Sequence, residues 1–387
     1  MKTEKSLRGK SIGVFIFSLG PGGAERFVSY FLEYLFQQDV TVHLILMEKN
    51  IRFPLHKDIK LHILGKSRSN EKGIIKFISL PFLTFKYAKL TKELKIDYSF
   101  SLLTRPNLIN VLSRTLFKNQ ARLVLGVRSF TSLTYSYGNV QSKINKRLIA
   151  SIYPNSDLII GNSFGNSEDL VNNFNITRDK VITIQNPIDL EKIKDIVPIN
   201  NFFDEDYFNI ITVGRLIALK NQMMIIRAIS DLPKVRLYLI GLGELIDEIE
   251  KLIEELDLQD RVFLLGHQTN PFKYLKSADL FVFSSNHEGF PNVLLEAMAC
   301  GLPILSTNCD SGPNEILGYQ GESKEELIVT KNGILIPVNH LELMKKGLKY
   351  FMKNDDYYTD CQLAVTERVK DFEKSSILQK YADAIFQ

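Results

Sequence analysis

The sequence predicts an α/β fold built as two doubly wound units, and three observations carry that expectation. Apolar runs of strand length alternate with amphipathic stretches from one end of the chain to the other, the pattern of parallel sheets covered by helices. With 387 residues, the chain is long enough for two domains, each with its own core. The alternation pauses once, where the chain turns at Asn186-Pro187-Ile188-Asp189 and a polar segment through Pro198, Asn200 and Asn201 reads as a linker.

In the first half, strands are expected at Ile12–Leu19, Val40–Met47, Tyr98–Leu103, Leu123–Val127 and Leu158–Ile160, each a short apolar run between polar or glycine-containing breaks. Helical patterns lie between them, notably Ala24–Phe36 and Lys72–Leu94, the latter interrupted by Pro81. A second series gives strands Ile210–Val213, Leu237–Ile240, Val262–Leu264, Leu280–Phe283, Ile304–Ser306 and Ile334–Ile336. Its helices fall near Asn221–Ser230, Leu245–Leu256, Asn292–Cys300 and Leu341–Met352, and a helical tail covers Glu373–Phe386. The expected organisation is a Rossmann-like domain over residues 1–190, a second over 191–372 and a final helical segment, 373–387. In open α/β sheets of this kind, ligands bind at the carboxyl ends of the strands.

Composition narrows the function classes. The chain is 45% hydrophobic and 24% charged, and its apolar segments are interrupted well before the roughly 18–20 residues that a membrane span needs. The apolar run after the charged Met1–Lys10, Ile12–Leu19, is read as a strand, so no signal peptide is expected. Three cysteines without CxxC spacing suit a reducing cytoplasm. Six histidines without an HxxxH pair or a carboxylate-rich cluster argue against a protein-bound metal. Charge is split unevenly: residues 1–200 hold 29 Lys and Arg against 16 Asp and Glu, and the remainder holds 19 against 28. The basic half is expected to meet an anionic membrane surface or lipid phosphate. No nucleic acid partner is expected, because no recognised motif or aromatic stacking platform accompanies the charge. The stretch Lys72–Lys95, rich in Phe, Ile and Lys, fits a face resting on an anionic bilayer as well as one packed on a sheet.

The most informative segment is Glu288-Gly-Phe-Pro-Asn-Val-Leu-Leu-Glu296, which follows the strand Leu280–Phe283 and opens a helix. Strand, tight loop and helix N-terminus together offer backbone N–H groups to an anion. The two acids, Glu288 and Glu296, are suited to accepting hydrogen bonds from hydroxyls beside that anion. A diphosphate flanked by hydroxyl-rich groups is a nucleotide sugar. Strand Ile210–Val213 runs into Gly214-Arg215, with Lys220 beyond, a planar fork and a mobile point charge suited to a diphosphate. Gly22 and Gly23, after the first strand, let a phosphate or sugar approach the backbone. That loop is neither a dinucleotide fingerprint, since Glu25 replaces its third glycine, nor a Walker sequence. Gly241-Leu-Gly243-Glu244 reads as a structural turn.

Three motifs in order resemble the retaining glycosyltransferases of family 4, which have the GT-B fold of two Rossmann-like domains facing across a cleft: Pro21-Gly22-Gly23-Ala24-Glu25-Arg26, Gly214-Arg215…Lys220 and Glu288…Glu296. The resemblance covers nearly the whole chain, and it implies that the final helix returns to the first domain. Ser18–Arg26, Leu103–Asn107 and Asp310–Glu315 are further similar to enzymes that extend undecaprenyl-diphosphate-linked oligosaccharides, N-acetylgalactosaminyltransferases among them. It implies that Arg215 and Lys220 hold the donor diphosphate, Glu288 a hydroxyl of the transferred sugar and Glu296 the ribose. Gly22, Gly23, Gly289, Phe290, Asn292 and Val293 would line the donor site. No metal cofactor is implied. Relatives often carry a His or an acid in the region of Gly126–Thr131, and this chain has neither there. That absence favours a front-face retaining mechanism over one that needs a protein base. Arg105 and Arg128, at two strand ends, are candidates for an anionic acceptor. The resulting expectation is an enzyme at the inner face of the cell membrane, moving an N-acetylhexosamine from a UDP-sugar to a polyprenyl-diphosphate-linked glycan. The alternatives are a nucleotide-sugar epimerase of the same fold and a non-catalytic sugar-nucleotide-binding scaffold.

Overall fold

The computed structural model describes residues 7–65, 78–136, 138–321, 323 and 325–387. It divides into two units, Met1–Pro187 with Lys374–Gln387, and Ile188–Glu373. In the first, strands β1 Ser11–Ile16, β2 Thr41–Leu46, β3 Lys60–Ile63, β4 Tyr98–Leu102, β5 Arg122–Val127, β6 Leu158–Gly161 and β7 Val181–Thr183 form one sheet. Their order is β3-β2-β1-β4-β5-β6-β7, and every pairing is parallel. The inner strands are apolar on both faces because helices cover both. Between β1 and β4 the order reverses, so the segments leaving those two strands diverge at their carboxyl ends.

Helix Gly23–Gln37 shows how pattern becomes packing: Phe27, Val28, Phe31, Leu32 and Leu35 recur at helical spacing and are all buried. They share a core with helix Lys374–Phe386, whose Ile377, Leu378, Tyr381, Ile385 and Phe386 are buried in the same cluster. The Tyr381 hydroxyl donates to the Ile184 carbonyl at 2.8 Å. The Lys10 ammonium donates to the Phe386 carbonyl at 3.1 Å.

The second unit repeats the architecture with β8 Phe208–Val213, β9 Val235–Ile240, β10 Val262–Leu264, β11 Leu280–Phe283, β12 Ile304–Thr307, β13 Ile328–Thr330 and β14 Gly333–Ile336. The order is β10-β9-β8-β11-β12-β14-β13. Only the edge pair β13–β14 is antiparallel among the pairings described. Its reversal lies between β8 and β11, the two strands that lead to Arg215 and to Glu288.

Several expectations need correcting. Strands β3, β7 and β13, each of three or four residues, are edge strands that the apolar pattern does not announce. Helices Thr104–Phe117, Val140–Ile152, Phe164–Asn173 and Asp355–Arg368 were not anticipated. The first of them buries Asn107, Asn110 and Ser113 among Leu108, Ile109 and Val111, so its apolar spacing is interrupted by polar residues. The segment through Pro198–Asn201 is no free linker, because Ile199 is stitched to the second unit through Lys273 and Ser277. Of the expected helix Lys72–Leu94, Leu80–Glu93 is observed, and 72–77 lie outside the described residues. No helix among the described residues is long and apolar enough to cross a membrane.

Candidate active site

Arg215 is exposed on the loop leaving β8, and its backbone is clamped by the loop leaving β9. The Gly214 N–H donates to the Ile240 carbonyl at 2.9 Å, the Leu216 N–H to Leu242 at 3.0 Å, and the Leu245 N–H back to Leu216 at 3.1 Å. This approach requires glycine. A Cβ at Gly241 (φ +149°) would lie 1.9 Å from the Gly214 carbonyl oxygen, and one at Gly243 would lie 2.0 Å from that of Leu216. Gly214 itself has room for a Cβ. The close turn expected at Gly214 is therefore enforced by Gly241 and Gly243 instead, and the structural turn read there is what aims Arg215. Gln222, buried at the start of helix Gln222–Ile229, adds a bond from its Nε2 to the Arg215 carbonyl at 3.0 Å.

Lys220 and Glu288 meet directly in an ion pair, with only 19% and 15% of their side chains exposed. The loops that carry them are laced together independently of that pair. The Ser284 hydroxyl donates to the Lys220 carbonyl at 2.7 Å, and the Asn286 N–H donates to the Leu219 carbonyl at 2.9 Å. Asn221 sits in the left-handed region at φ 49°, a conformation asparagine tolerates better than most residues. From there its amide donates to Asn286 at 3.3 Å and to Asn339 at 2.9 Å. The Lys220 ammonium also lies 5.7 Å from the centre of the Phe283 ring.

Helix Asn292–Ala299 begins at Pro291 without a side-chain cap, so its first-turn amides point out along the helix axis, where an anion is favoured. Glu296 is buried on this helix. Phe290 turns its ring into the core, 5.9 Å from Phe372, and leaves only its main chain to the site; Val293 is half-buried. The loop after β12 braces this segment. The Ser311 hydroxyl donates to the Gly289 carbonyl at 2.5 Å. Gly312 (φ +99°) packs so closely that a Cβ would lie 2.5 Å from Pro291 Cδ. Cys309 is buried beside the site, and its thiol is pushed far above its usual range by burial first and the Glu288 carboxylate second. It stays neutral.

In the first unit, Gly22 caps helix Gly23–Gln37 with extended backbone and no side-chain bond. The Glu25 carboxylate folds back over it: a Cβ on Gly22 would lie 2.2 Å from Glu25 Oε2. Burial raises the Glu25 pKa, while its own backbone N–H acts in the opposite direction. With that carboxylate in place, Gly22 and Gly23 suit a hydroxyl better than a phosphate. Arg105 begins helix Thr104–Phe117 and donates to the Ser79 hydroxyl at 2.8 Å. Arg128 is not an open cation. Its guanidinium lies 3.8 Å from the centre of the Phe27 ring and 5.3 Å from that of Tyr381, and Nη1 donates to Asn186 at 2.7 Å. Burial pulls its pKa down. Asn186, Asn162 and Asn166 continue this contact as a buried chain of amides. The described residues contain no group of three or more His, Cys, Asp or Glu placed to hold a metal ion.

The sequence compares directly with known proteins. Residues 21–192 match the family model described as Glycosyltransferase Family 4, and residues 194–368 match Glycosyl transferases group 1. An N-acetylgalactosamine-N,N'-diacetylbacillosaminyl-diphospho-undecaprenol 4-alpha-N-acetylgalactosaminyltransferase of Campylobacter jejuni subsp. jejuni serotype O:2 is 39% identical over 369 residues, 95% of this chain and 97% of that protein. Among solved structures, sucrose-phosphate synthase from Thermosynechococcus elongatus superposes with a TM-score of 0.79 at 18% identity, covering 97% of this chain and 98% of that one. Anabaena HepE in complex with UDP gives 0.75 at 17% identity, covering 97% and 99%. At such identities the structures speak for the fold alone, and that fold is GT-B.

Proposed function

This chain belongs to glycosyltransferase family 4, and from that premise we propose that it moves an N-acetylhexosamine, GalNAc-like, from a UDP-sugar to a polyprenyl-diphosphate-linked glycan with retention of configuration. The observation that carries the reading is the convergence of Lys220, Glu288 and the clamped Arg215 loop at the reversal point of the second sheet. The name of the Campylobacter relative supports the sugar and the lipid diphosphate.

Arg215 and Lys220 take the donor diphosphate and stabilise the charge that develops as it leaves. Glu288 pairs with Lys220 and so holds its ammonium in position for the donor. Glu288 accepts a hydrogen bond from the transferred sugar, Glu296 from the ribose, and the amides of Gly289, Asn292 and Val293 face the diphosphate. Gly22 and Gly23 offer amides to donor hydroxyls. The acceptor hydroxyl attacks the anomeric carbon on the face from which the diphosphate departs; the sugar–phosphate bond breaks, and the acceptor proton passes to the departing phosphate oxygen. The lack of a His or carboxylate in Gly126–Thr131 supports this route. With two cations and a helix N-terminus supplying positive potential, the reaction is metal-independent. Arg105 meets the anionic acceptor, and the enzyme works peripherally at the cytoplasmic face of the membrane.

The test is an assay of UDP release and lipid-linked product from UDP-N-acetylgalactosamine, with and without a polyprenyl-diphosphate glycan and with EDTA in a parallel arm. Acceptor-dependent release that survives EDTA is the expected result. Conversion of the donor without acceptor would mean an epimerase, and binding without turnover a scaffold.

A further inference from the structure

We propose that Gln222 is a positioning residue whose side-chain oxygen is a second seat for the Lys220 ammonium, taken up when the donor's sugar claims Glu288. The inference rests on the reading that this site holds a nucleotide sugar, and it names the partner that keeps Lys220 aimed once the ion pair is shared with that ligand.

Gln222 is 3% exposed, and its amide is fixed from one side. Nε2 donates to the Arg215 carbonyl at 3.0 Å, which sets the orientation of the group and turns Oε1 away from that carbonyl. The oxygen is buried and accepts no hydrogen bond among the described residues. A buried acceptor without a donor is destabilising, and such groups are rare in folded proteins. Its donor must come from a side chain that turns or a ligand that arrives. An ionised diphosphate has none to offer, and in the proposed site the ribose hydroxyls belong to Glu296. The Lys220 ammonium carries three.

Residues two apart on a regular helix do not face each other, yet Lys220 and Gln222 border one space. Asn221 between them lies in the left-handed region, so the chain turns sharply before helix Gln222–Ile229 begins. A Cβ placed on Gly214 would lie 3.8 Å from Gln222 Nε2 and 3.8 Å from Lys220 Cε. The amide and the lysine stem therefore flank the same glycine, which sets no side chain between them. The Lys220 carbonyl stays anchored by the Ser284 hydroxyl, so only the stem has to turn. Its ammonium now pairs with Glu288 beside the Phe283 ring. A bound donor changes the needs of both partners, because diphosphate oxygens draw the ammonium while a sugar hydroxyl draws the carboxylate. With Gln222 Oε1 as an acceptor, the ammonium keeps its hydrogens bonded as Glu288 turns to the sugar. A neutral amide suits this task better than a second carboxylate, since it holds the ammonium without cancelling the charge that the diphosphate meets.

The experiment is a double-mutant cycle on the full chain, read by calorimetric titration with UDP-N-acetylgalactosamine in the absence of acceptor. Gln222→Met, similar in length but without the amide, should bind this donor about tenfold more weakly than the parent, the scale of one hydrogen bond to a charged group. The same change should cost about twofold at most in a Lys220→Met background, and the full factor of about ten in an Arg215→Met background. Far-UV circular dichroism with a urea midpoint verifies the fold, and Gln222→Leu takes the place of Gln222→Met in the cycle if the latter does not fold. The proposal is overturned if the Gln222 variant binds like the parent, or if its loss persists undiminished without Lys220. It is equally overturned if the loss vanishes without the Arg215 side chain, because Gln222 then serves the Arg215 loop alone. Transfer to a polyprenyl-diphosphate glycan is measured in parallel. Transfer without coupling between Gln222 and Lys220 overturns the seat alone; donor binding with that coupling but no transfer overturns the functional reading alone.

Discussion

The two Rossmann-like units share a strand order and differ in what they place at its reversal point. The second unit presents charge: an exposed arginine on a glycine-clamped loop and a lysine–glutamate pair between laced loops. The first presents glycines and an uncapped helix end at β1, while amides and the enclosed Arg128 lie at its neighbouring strand ends. Net charge runs the other way, since the cations of the site stand in the acidic half of the sequence. The comparison teaches that topology supplies the opening, whereas the first residues after each strand decide its chemistry. A domain's overall charge says more about the surface it meets than about its site.

The most drastic way to break the comparison is to remove what completes the first unit. Deleting residues 374–387 takes away seven buried side chains, Ile377, Leu378, Tyr381, Ala382, Ala384, Ile385 and Phe386. At roughly 1.5–3 kcal/mol for each large apolar group, the loss is comparable to the 5–15 kcal/mol by which whole domains are stable. Calorimetry should show the first unit's transition abolished and the second unit's retained; two unchanged transitions would contradict the shared core.

Next come the charges. Arg215→Ala and Glu288→Ala should each lower kcat/KM by about 10²–10³, the size expected when one preorganised electrostatic contact is lost. Arg128→Met should instead lower the unfolding free energy by about 1–3 kcal/mol and leave KM for the acceptor within about twofold. Steady-state kinetics and urea titrations on the same preparations separate these outcomes. A tenfold rise in acceptor KM with stability unchanged would return Arg128 to the site.

Ser311→Ala tests the brace behind Gly289. One neutral hydrogen bond contributes about 0.5–1.5 kcal/mol, so kcat should fall roughly two- to tenfold with donor KM little changed. Full activity would show that the loop holds its shape without that hydroxyl.

A separate effect, on stability and not on turnover, concerns acid. His43 and His62, on β2 and β3, face each other with Nδ1 and Nε2 3.1 Å apart. Burial, then the neighbouring His62 and Lys60, lowers the His43 pKa from 6.5 to about 4, and burial lowers that of His62 as well. Between those values the unfolded chain binds a proton that the folded one refuses, so stability is complete above pH 6.5 and declines as the pH falls toward 4. The contribution is on the order of 3 kcal/mol when the pH has fallen below both values. Urea midpoints at pH 7 and pH 4.5 should differ more in the parent than in His43→Gln, and equal differences would exclude this pair as the source.

Much of this was legible in the sequence where one physical signal dominated. The inner strands announced themselves because they are buried on both faces, and helix Gly23–Gln37 because its apolar residues keep helical spacing. Helix Thr104–Phe117 was hidden because asparagine and serine, satisfied by hydroxyl and amide partners, interrupt the buried Leu108, Ile109 and Val111 of its inner side. Within the site, Arg215, Lys220 and Glu288 stood out as charges placed after strands. Their supports did not: Gly241 and Gly243 act on a loop 25 or more residues earlier in the chain, and Ser311 acts on Gly289 across 22. Such contacts exist only once the sheet has brought strand ends together. Arg128 shows the converse, a cation at a strand end whose surroundings, supplied by Phe27 and Tyr381, no local pattern reveals.

The chain passes from the first unit to the second at Pro187 and returns at Lys374, so the second unit is nested inside the first. During synthesis, the sheet that is made first must wait for Tyr381 and its neighbours, while the inserted unit can close its own core as soon as residues 188–373 have emerged. The first unit's sheet is made before the helix that completes its core, and through that interval Phe27, Phe31 and Phe100 lack the side chains that cover them. Slow release or premature termination therefore endangers the first unit, and chaperone dependence in the cell should track residues 374–386.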